Sequence, residues 1–281
     1  MTFSDFKVLP IHLERLNKAG DKHKYDHGHA VFVSGAYGQG GAIRLAARAG
    51  LRVGAGLVTV LSDTKSQSQH VARLDAVMVK TFQDAKDFGQ RLSDLKPDAV
   101  GIGPNLGLER AHQEQIRQVL SLECPVCLDA DALTVLSQAV DMKVHADAVL
   151  TPHEGELRRL VPEDYAQTRD RARLAQAVAR KYGCTVLFKG AETIVMRPDG
   201  TGTCVRPSGP WSAWLATAGS GDVLTGLITG LMARGFVPFD AAALGAALHL
   251  RCAELIGPGL IAEDLPDAVP AVLRAMLAKA P

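Results

Sequence analysis

The residues best placed to do chemistry lie in Ala216-Thr-Ala-Gly-Ser-Gly-Asp-Val-Leu-Thr-Gly226. Small residues and two glycines run into an acid, Asp222. An apolar helical pattern then follows at Val223, Leu224, Leu227, Ile228, Leu231 and Met232. That order predicts a glycine turn feeding a helix N-terminus. The first N–H groups of a helix lack internal partners and carry the positive end of its dipole, so they suit an anion. A carboxylate repels an anion. Asp222 beside one makes chemical sense as a base for a group about to meet a phosphate. The competing reading is a helix cap, with Ser220 or Asp222 satisfying orphan amides.

Further candidates sit where apolar runs give way to short polar or glycine-rich loops. Ala30-Val-Phe-Val-Ser34 leads into Gly35-Ala-Tyr-Gly-Gln-Gly-Gly-Ala42 and then a helical pattern. Strand, glycine loop and helix is a layout that holds a phosphate or ribose near a helix start. No Gly-Lys-Ser/Thr follows, so this is not a Walker loop. Asp98-Ala-Val-Gly-Ile102 runs into Gly103-Pro-Asn-Leu-Gly107, a turn whose backbone can approach a ligand closely. Pro125-Val-Cys-Leu128 ends in Asp129-Ala-Asp131, two acids that could cap the next helix or hold Mg²⁺ through water. Asp147-Ala-Val-Leu150 ends in Thr151-Pro-His-Glu-Gly-Glu156, which crowds His153, Glu154 and Glu156 into one loop.

The elements that must position these loops read as alternating strands and helices. Strands are expected at 30–34, 57–61, 75–79, 98–102, 125–128, 147–150 and 184–188, with helices at 83–95, 109–121, 165–182, 239–257 and 263–279. Ile194-Val-Met196 and Thr203-Cys-Val205 read as an antiparallel pair joined through Pro198-Asp-Gly200. This pattern predicts one α/β domain over 1–281, with a largely parallel sheet covered on both faces. Residues 1–22 read as an N-terminal arm, solvated with the basic cluster Lys22-His23-Lys24 that follows it.

Composition agrees. The chain is 47% hydrophobic and only 5% aromatic, as expected of helices packed on a parallel sheet. Its 31 basic and 30 acidic residues nearly cancel, which points away from nucleic acid or an anionic membrane as the main partner. No apolar run reaches the ~20 residues of a membrane span. The N-terminus lacks the layout of a signal peptide, and five cysteines suit reduced thiols, so a cytoplasmic location is expected. Cys124-Pro-Val-Cys127 has no second pair to make a metal or redox site. Cys127 reads as a small buried hydrophobe.

In order, these segments resemble the ADP/ATP-dependent NAD(P)H-hydrate dehydratase family of the ribokinase-like superfamily. The resemblance rests on the loop at Gly35 and Gly40–Ala42, Gly101-Ile-Gly-Pro-Asn-Leu-Gly107, Leu128-Asp-Ala-Asp-Ala-Leu133, Leu150-Thr-Pro-His-Glu-Gly-Glu156, Phe188-Lys-Gly-Ala-Glu-Thr193 and Thr217–Gly226. It implies a three-layer α/β/α sandwich in a stand-alone form without the epimerase domain fused to some members. It also implies a repair reaction. ADP or ATP phosphorylates the hydroxyl of the S epimer of NADHX or NADPHX. Phosphate then leaves, restoring NADH or NADPH and giving AMP or ADP. A small-molecule kinase of the same superfamily would use the Asp222 turn too, with phosphate staying on its product. The Thr151-Pro-His153 and Lys189-Gly-Ala191 motifs favour the dehydratase.

The resemblance further implies roles for residues. Asp222 matches the family's base, and a free aspartate pKa of ~3.9 predicts that it is ionised at neutral pH. Gly219, Ser220 and Gly221 would form the anion hole. Lys189, Gly190, Ala191, Glu192 and Thr193 match the nucleotide-contacting segment, with Gly221 alongside. Ala42, Gly107 and His153 match positions that meet the hydrated cofactor, together with Asp222. Glu156 and Asp129 are candidates to organise Mg²⁺ through water. A homotetramer is expected, with an NAD(P)HX epimerase on a separate chain as pathway partner. The sequence departs from the family pattern in three places. Asn105 stands where glycine is expected, and Asn tolerates positive φ better than most residues. Gly50 replaces an alanine, at about 1 kcal/mol in helix preference. Pro210-Trp-Ser-Ala-Trp-Leu215 lacks an expected Gly-Asn.

Overall fold

Side chains of His29–Val33 alternate between two cores. Ala30 and Phe32 pack with one cluster of buried residues, Val31 and Val33 with the other. Buried on both faces, such a strand must be central and covered by helices on either side. In a computed structural model, which describes residues 2–18, 20–139 and 141–278, that strand lies within a ten-stranded sheet. The strands are β1 (Thr2–Asp5), β2 (His29–Val33), β3 (Leu57–Asp63), β4 (Met78–Phe82), β5 (Ala99–Ile102), β6 (Val126–Leu128), β7 (Ala148–Leu150), β8 (Thr185–Phe188), β9 (Thr193–Met196) and β10 (Thr201–Val205). Their order is β1-β10-β9-β8-β7-β6-β5-β2-β3-β4. From β4 to β8 every pair is parallel. β9 is antiparallel to both neighbours, and β1 is parallel to β10.

The chain winds outward from β2 to β4, then returns to β5 on the other side of β2. This reversal is the switch point at which open α/β sheets gather ligands, outside the carboxyl ends of the strands. The loops after β2 and β5 meet there. A Cβ on Gly35 would lie 1.6 Å from the carbonyl oxygen of Asn105, so only glycine allows the contact. Asn105 itself adopts φ 50°, the left-handed turn expected of it.

The helix Ser220–Ala233 is buried from Val223 to its end. It crosses Gly41–Arg52 so closely that a Cβ on Gly226 would sit 2.1 Å from the Ala46 carbonyl oxygen. Gly50 lies in the same crossing. A Cβ there would meet the Phe32 ring at 2.9 Å, so the space supplies a reason for glycine.

Three expectations change. The N-terminal segment is not a solvated arm: Thr2–Asp5 joins the sheet beside β10, and Pro10–Leu16 is a helix. The strand expected at 75–79 is displaced to Met78–Phe82. The helix expected over 165–182 is two helices, Pro162–Gln167 and Arg171–Tyr182. Asp170 caps the second by accepting from Ala172 N and Arg173 N, and a cap marks a start. Cys127 is a free, buried thiol, as its apolar surroundings require.

Candidate active site

Gly219 adopts φ 88°, and an added Cβ would stand 2.8 Å from Leu45 Cδ1 and 2.9 Å from Ala262 Cβ. Conformation and space therefore both require glycine at this turn. The helix Ser220–Ala233 starts directly after it, so N–H groups of its first turn lie at the glycine turn, that of Ser220 donating weakly to the Thr217 carbonyl at 3.5 Å. Ser220 does not cap with its side chain. Its Oγ donates to the Leu215 carbonyl at 2.7 Å and ties the turn to the preceding Pro210–Leu215 segment. Asp222 makes no side-chain cap either. The cap reading therefore fails, and the carboxylate is left for other work.

Beneath the turn lies a buried charged cluster. Lys189, at the end of β8, donates to Asp129 Oδ1 at 2.6 Å and stands 3.8 Å from Glu156 Oε2. Asp129 is 2% exposed and also accepts from Thr225 Oγ1 at 2.7 Å. Glu156 accepts from the His153 backbone N–H at 2.8 Å. Burial alone would push the Lys189 ammonium down, but Asp129 and Glu156 together overcome it and raise its pKa. Lys189 is thus a fixed cation serving two acids.

Asp222 lies beside this cluster, and among the described residues its carboxylate has no hydrogen-bond or ion-pair partner. Burial first, then repulsion from Asp129, push its carboxyl up to about 7, against a smaller opposing pull from Lys189. The fully ionised carboxylate expected from a free aspartate is therefore corrected. Asp222 is poised at neutral pH, where a general base is most effective.

A cavity of about 740 Å³ opens beside the turn. Lys189, Gly190, Ala191, Thr193, Ser220 and Gly221 line it, together with His153. Glu192 is not among the lining residues. Its carboxylate pairs with Arg206, and its carbonyl accepts from Arg171. Ala42 and Gly107 lie outside this cavity, at the switch point. Ala42 is buried one turn before Leu45, which touches Gly219. The Gly107 N–H donates to Asp131 Oδ2 at 2.9 Å. Asp131 thus pins the loop rather than capping its helix. His153 caps the helix Glu154–Leu160: its Nδ1 accepts from Gly155 N and Glu156 N.

Asp129 and Glu156 each face Lys189, and among the described residues no group of three or more His, Cys, Asp or Glu side chains could hold a metal ion. Sequence reasoning missed Thr225 and Arg171, and it named Asp131 without foreseeing its bond to the Gly107 N–H. Thr225 lies three positions after Asp222, so helical spacing placed it on the same side. Arg171 stacks on the Phe188 ring and donates to the carbonyls of Lys189 and Glu192, holding the cavity edge. No local pattern marked it.

The fold is ribokinase-like. A ribokinase-like superfamily protein from Enterococcus faecalis superposes with a TM-score of 0.79 at 26% identity, covering 97% of this chain and 96% of that one. The ADP/ATP-dependent NAD(P)H-hydrate dehydratase of Bacillus subtilis, co-crystallised with ATP/Mg²⁺, gives 0.79 at 29% identity, covering 95% and 97%. The NAD(P)H-hydrate dehydratase family model matches residues 30–269, and the chain belongs to that family. It is 36% identical over 265 residues to the ADP-dependent (S)-NAD(P)H-hydrate dehydratase of Neisseria meningitidis, covering 89% of this chain and 86% of that protein. The chain spans about half the length of several other curated relatives, which are bifunctional NAD(P)H-hydrate repair enzymes.

Proposed function

We propose that the protein dehydrates the S epimer of NADHX or NADPHX at the expense of ADP or ATP, restoring the reduced cofactor. The observation that carries this reading is Asp222: a carboxyl raised to about 7 in the first turn of a glycine-led helix, beside a nucleotide-sized cavity. Asp222 takes the proton from the ring hydroxyl as its oxygen attacks the terminal phosphoryl group. The bond from phosphorus to the nucleotide breaks, leaving AMP or ADP. Backbone N–H groups of Gly219, Ser220 and Gly221 hold the charge on the transferring group. Phosphate then departs with the ring C–O electrons, pushed by the ring nitrogen lone pair. Loss of a ring proton restores the double bond.

In this reading Lys189–Thr193 and Gly221 hold the nucleotide, and Ala42, Gly107 and His153 meet the damaged cofactor. A magnesium ion accompanying the nucleotide would be organised through water by Glu156 and Asp129. A single domain, a homotetramer, an epimerase as pathway partner and a cytoplasmic location complete the proposal. Among the described residues no helix is long and apolar enough to cross a membrane. Incubation with NADHX and ADP or ATP, following the return of the reduced ring's absorbance, tests the activity. Recovery with release of inorganic phosphate is expected. No recovery with either nucleotide overturns it, and a stable phosphorylated product would indicate a kinase instead.

A further inference from the structure

Arg171 opens the helix Arg171–Tyr182, and its guanidinium lies against the loop after β8. The guanidinium carbon stands 3.7 Å from the centre of the Phe188 ring. A Cβ added to Gly190 would collide with Nη2, so the glycine leaves room for the group. Nη2 donates to the carbonyls of Phe188, Lys189 and Glu192. Nε and Nη1 have no acceptor among the described residues, and neither is sealed from water. Arg171 lines the same cavity as Gly190, Ser220 and Gly221. These open N–H groups have no role in the mechanism above.

Charge singles Arg171 out. Lys189 is the other lysine or arginine on the cavity wall, and it already serves Asp129 and Glu156. The His153 ring is neutral, because its Nδ1 accepts from two N–H groups. Burial brings His249, also on the wall, down to about 4, so it too is neutral at pH 7. Glu154 is the acid on the wall. Its Oε1 accepts from the Tyr165 hydroxyl at 2.6 Å, and it forms no ion pair with Arg171. A guanidinium keeps its charge in proteins. A nucleotide brings several negative charges into the cavity, and they call for a cation that no carboxylate already holds.

We propose that Arg171 binds, through Nε or Nη1, a phosphate that stays with the nucleotide when the terminal one is transferred. This deepens the nucleotide reading of the same cavity and rests on it. The Lys189 carbonyl meets Arg171, while the Lys189 ammonium lies 3.7 Å from where a Cβ on Gly221 would stand. A phosphate chain laid beside Lys189 has its terminal group at the Gly219–Gly221 turn and its inner group toward Arg171. Arginine N–H groups only donate and ionised phosphate oxygens only accept, so the two are matched. The base suits the apolar wall of Leu215, Leu224, Ala246 and Leu250 instead. The inner phosphate does not react. Its contact is the same before and during transfer, so it governs nucleotide affinity and not the chemical step.

Calorimetric binding of ADP, AMP and adenosine to the wild-type chain, Arg171→Gln and Arg171→Lys tests this. Arg171→Gln should weaken ADP and AMP by about tenfold each, the factor equivalent to ~1.4 kcal/mol. AMP shares the loss because it keeps the inner phosphate. Adenosine should bind all three proteins alike. Arg171→Lys, which keeps the charge, should recover part of the loss. In turnover, Arg171→Gln should raise KM for ADP by a similar factor, with kcat and KM for NADHX little changed. Adenosine weakened as much as AMP would show that Arg171 only shapes the loop after β8, and overturns the proposal. An AMP affinity unchanged in Arg171→Gln overturns it too. So does a KM rise for NADHX in place of ADP, which moves the contact to the diphosphate of the hydrated cofactor. Failure of wild type to bind ADP at all removes the nucleotide reading together with this one.

Discussion

Around Asp222 the site is made of buried side chains. Lys189, Asp129, Glu156 and Thr225 are linked by ion pairs and hydrogen bonds, and the carboxyl of Asp222 is shifted by burial and by Asp129, with Lys189 opposing. Around Ala42 and Gly107 it is made of backbone. Glycines bring loops together, Asp131 holds one of them through a main-chain N–H, and Tyr37, Gly38 and Gln39 stay exposed. The difference follows from the tasks. Shifting a pKa requires low dielectric and neighbouring charge, which only a packed interior supplies. Embracing a large, flat, polar molecule requires close approach and donors that do not repel it, which main chain supplies.

The contrast predicts that damage on the side-chain half is severe and damage on the loop half is mild. Asp222→Asn should lower turnover by about 10²–10⁴-fold, the usual contribution of a general base. ADP binding by calorimetry should persist, and near-normal turnover would remove Asp222 from the mechanism. The same variant should gain stability at pH 8. A carboxyl raised to about 7 holds a proton that the unfolded chain has already released above its ordinary value of 3.8. Its contribution to stability is therefore lost as pH rises between those values.

Lys189→Met should destabilise the fold by about 3–5 kcal/mol in denaturant unfolding, because Asp129 and Glu156 stay buried without their cation. It should also move the Asp222 titration upward, since Lys189 is the group that opposes the shift. Unaltered stability would show that the cluster is hydrated rather than packed. In the wild-type enzyme, kcat/KM should fall about tenfold per pH unit below the Asp222 midpoint, as an essential base becomes protonated. A profile flat from pH 5 to 8 would contradict the raised carboxyl. At the mild end, His153→Ala should cost about 1 kcal/mol through the lost helix cap, and raise KM for the hydrated cofactor by a few-fold with kcat little changed. A collapse of kcat would place His153 with the base instead.

Much of the architecture was legible because strand and helix periods are local. β2, β5, β6, β7 and β8 fall where apolar runs meet glycine, acid or proline. The segment before them was misread because β1 is not an apolar strand by itself. It becomes one by pairing with β10, about 200 residues away. The break at Thr168–Asp170 was missed because a capping aspartate inside a polar helical pattern resembles any other surface acid. The motif residues were found by type and order, yet the contacts of two of them were not. No local pattern says that Asp129 and Glu156 both face Lys189.

For the Asp222 turn, the sequence alone determined its backbone. Two glycines, a serine and an apolar run can make little other than a tight turn and a buried helix start, because those preferences reside in each residue's own geometry. It also determined that a carboxylate stands in the first turn. Tertiary structure decided what that carboxylate is. Asp129 and Lys189 are 60 positions apart and meet only across the sheet. Burial of the turn first, then the charge of Asp129, raise Asp222 to about 7 against the opposing pull of Lys189. Distance and solvent access set that value, and neither is written in the order of the residues.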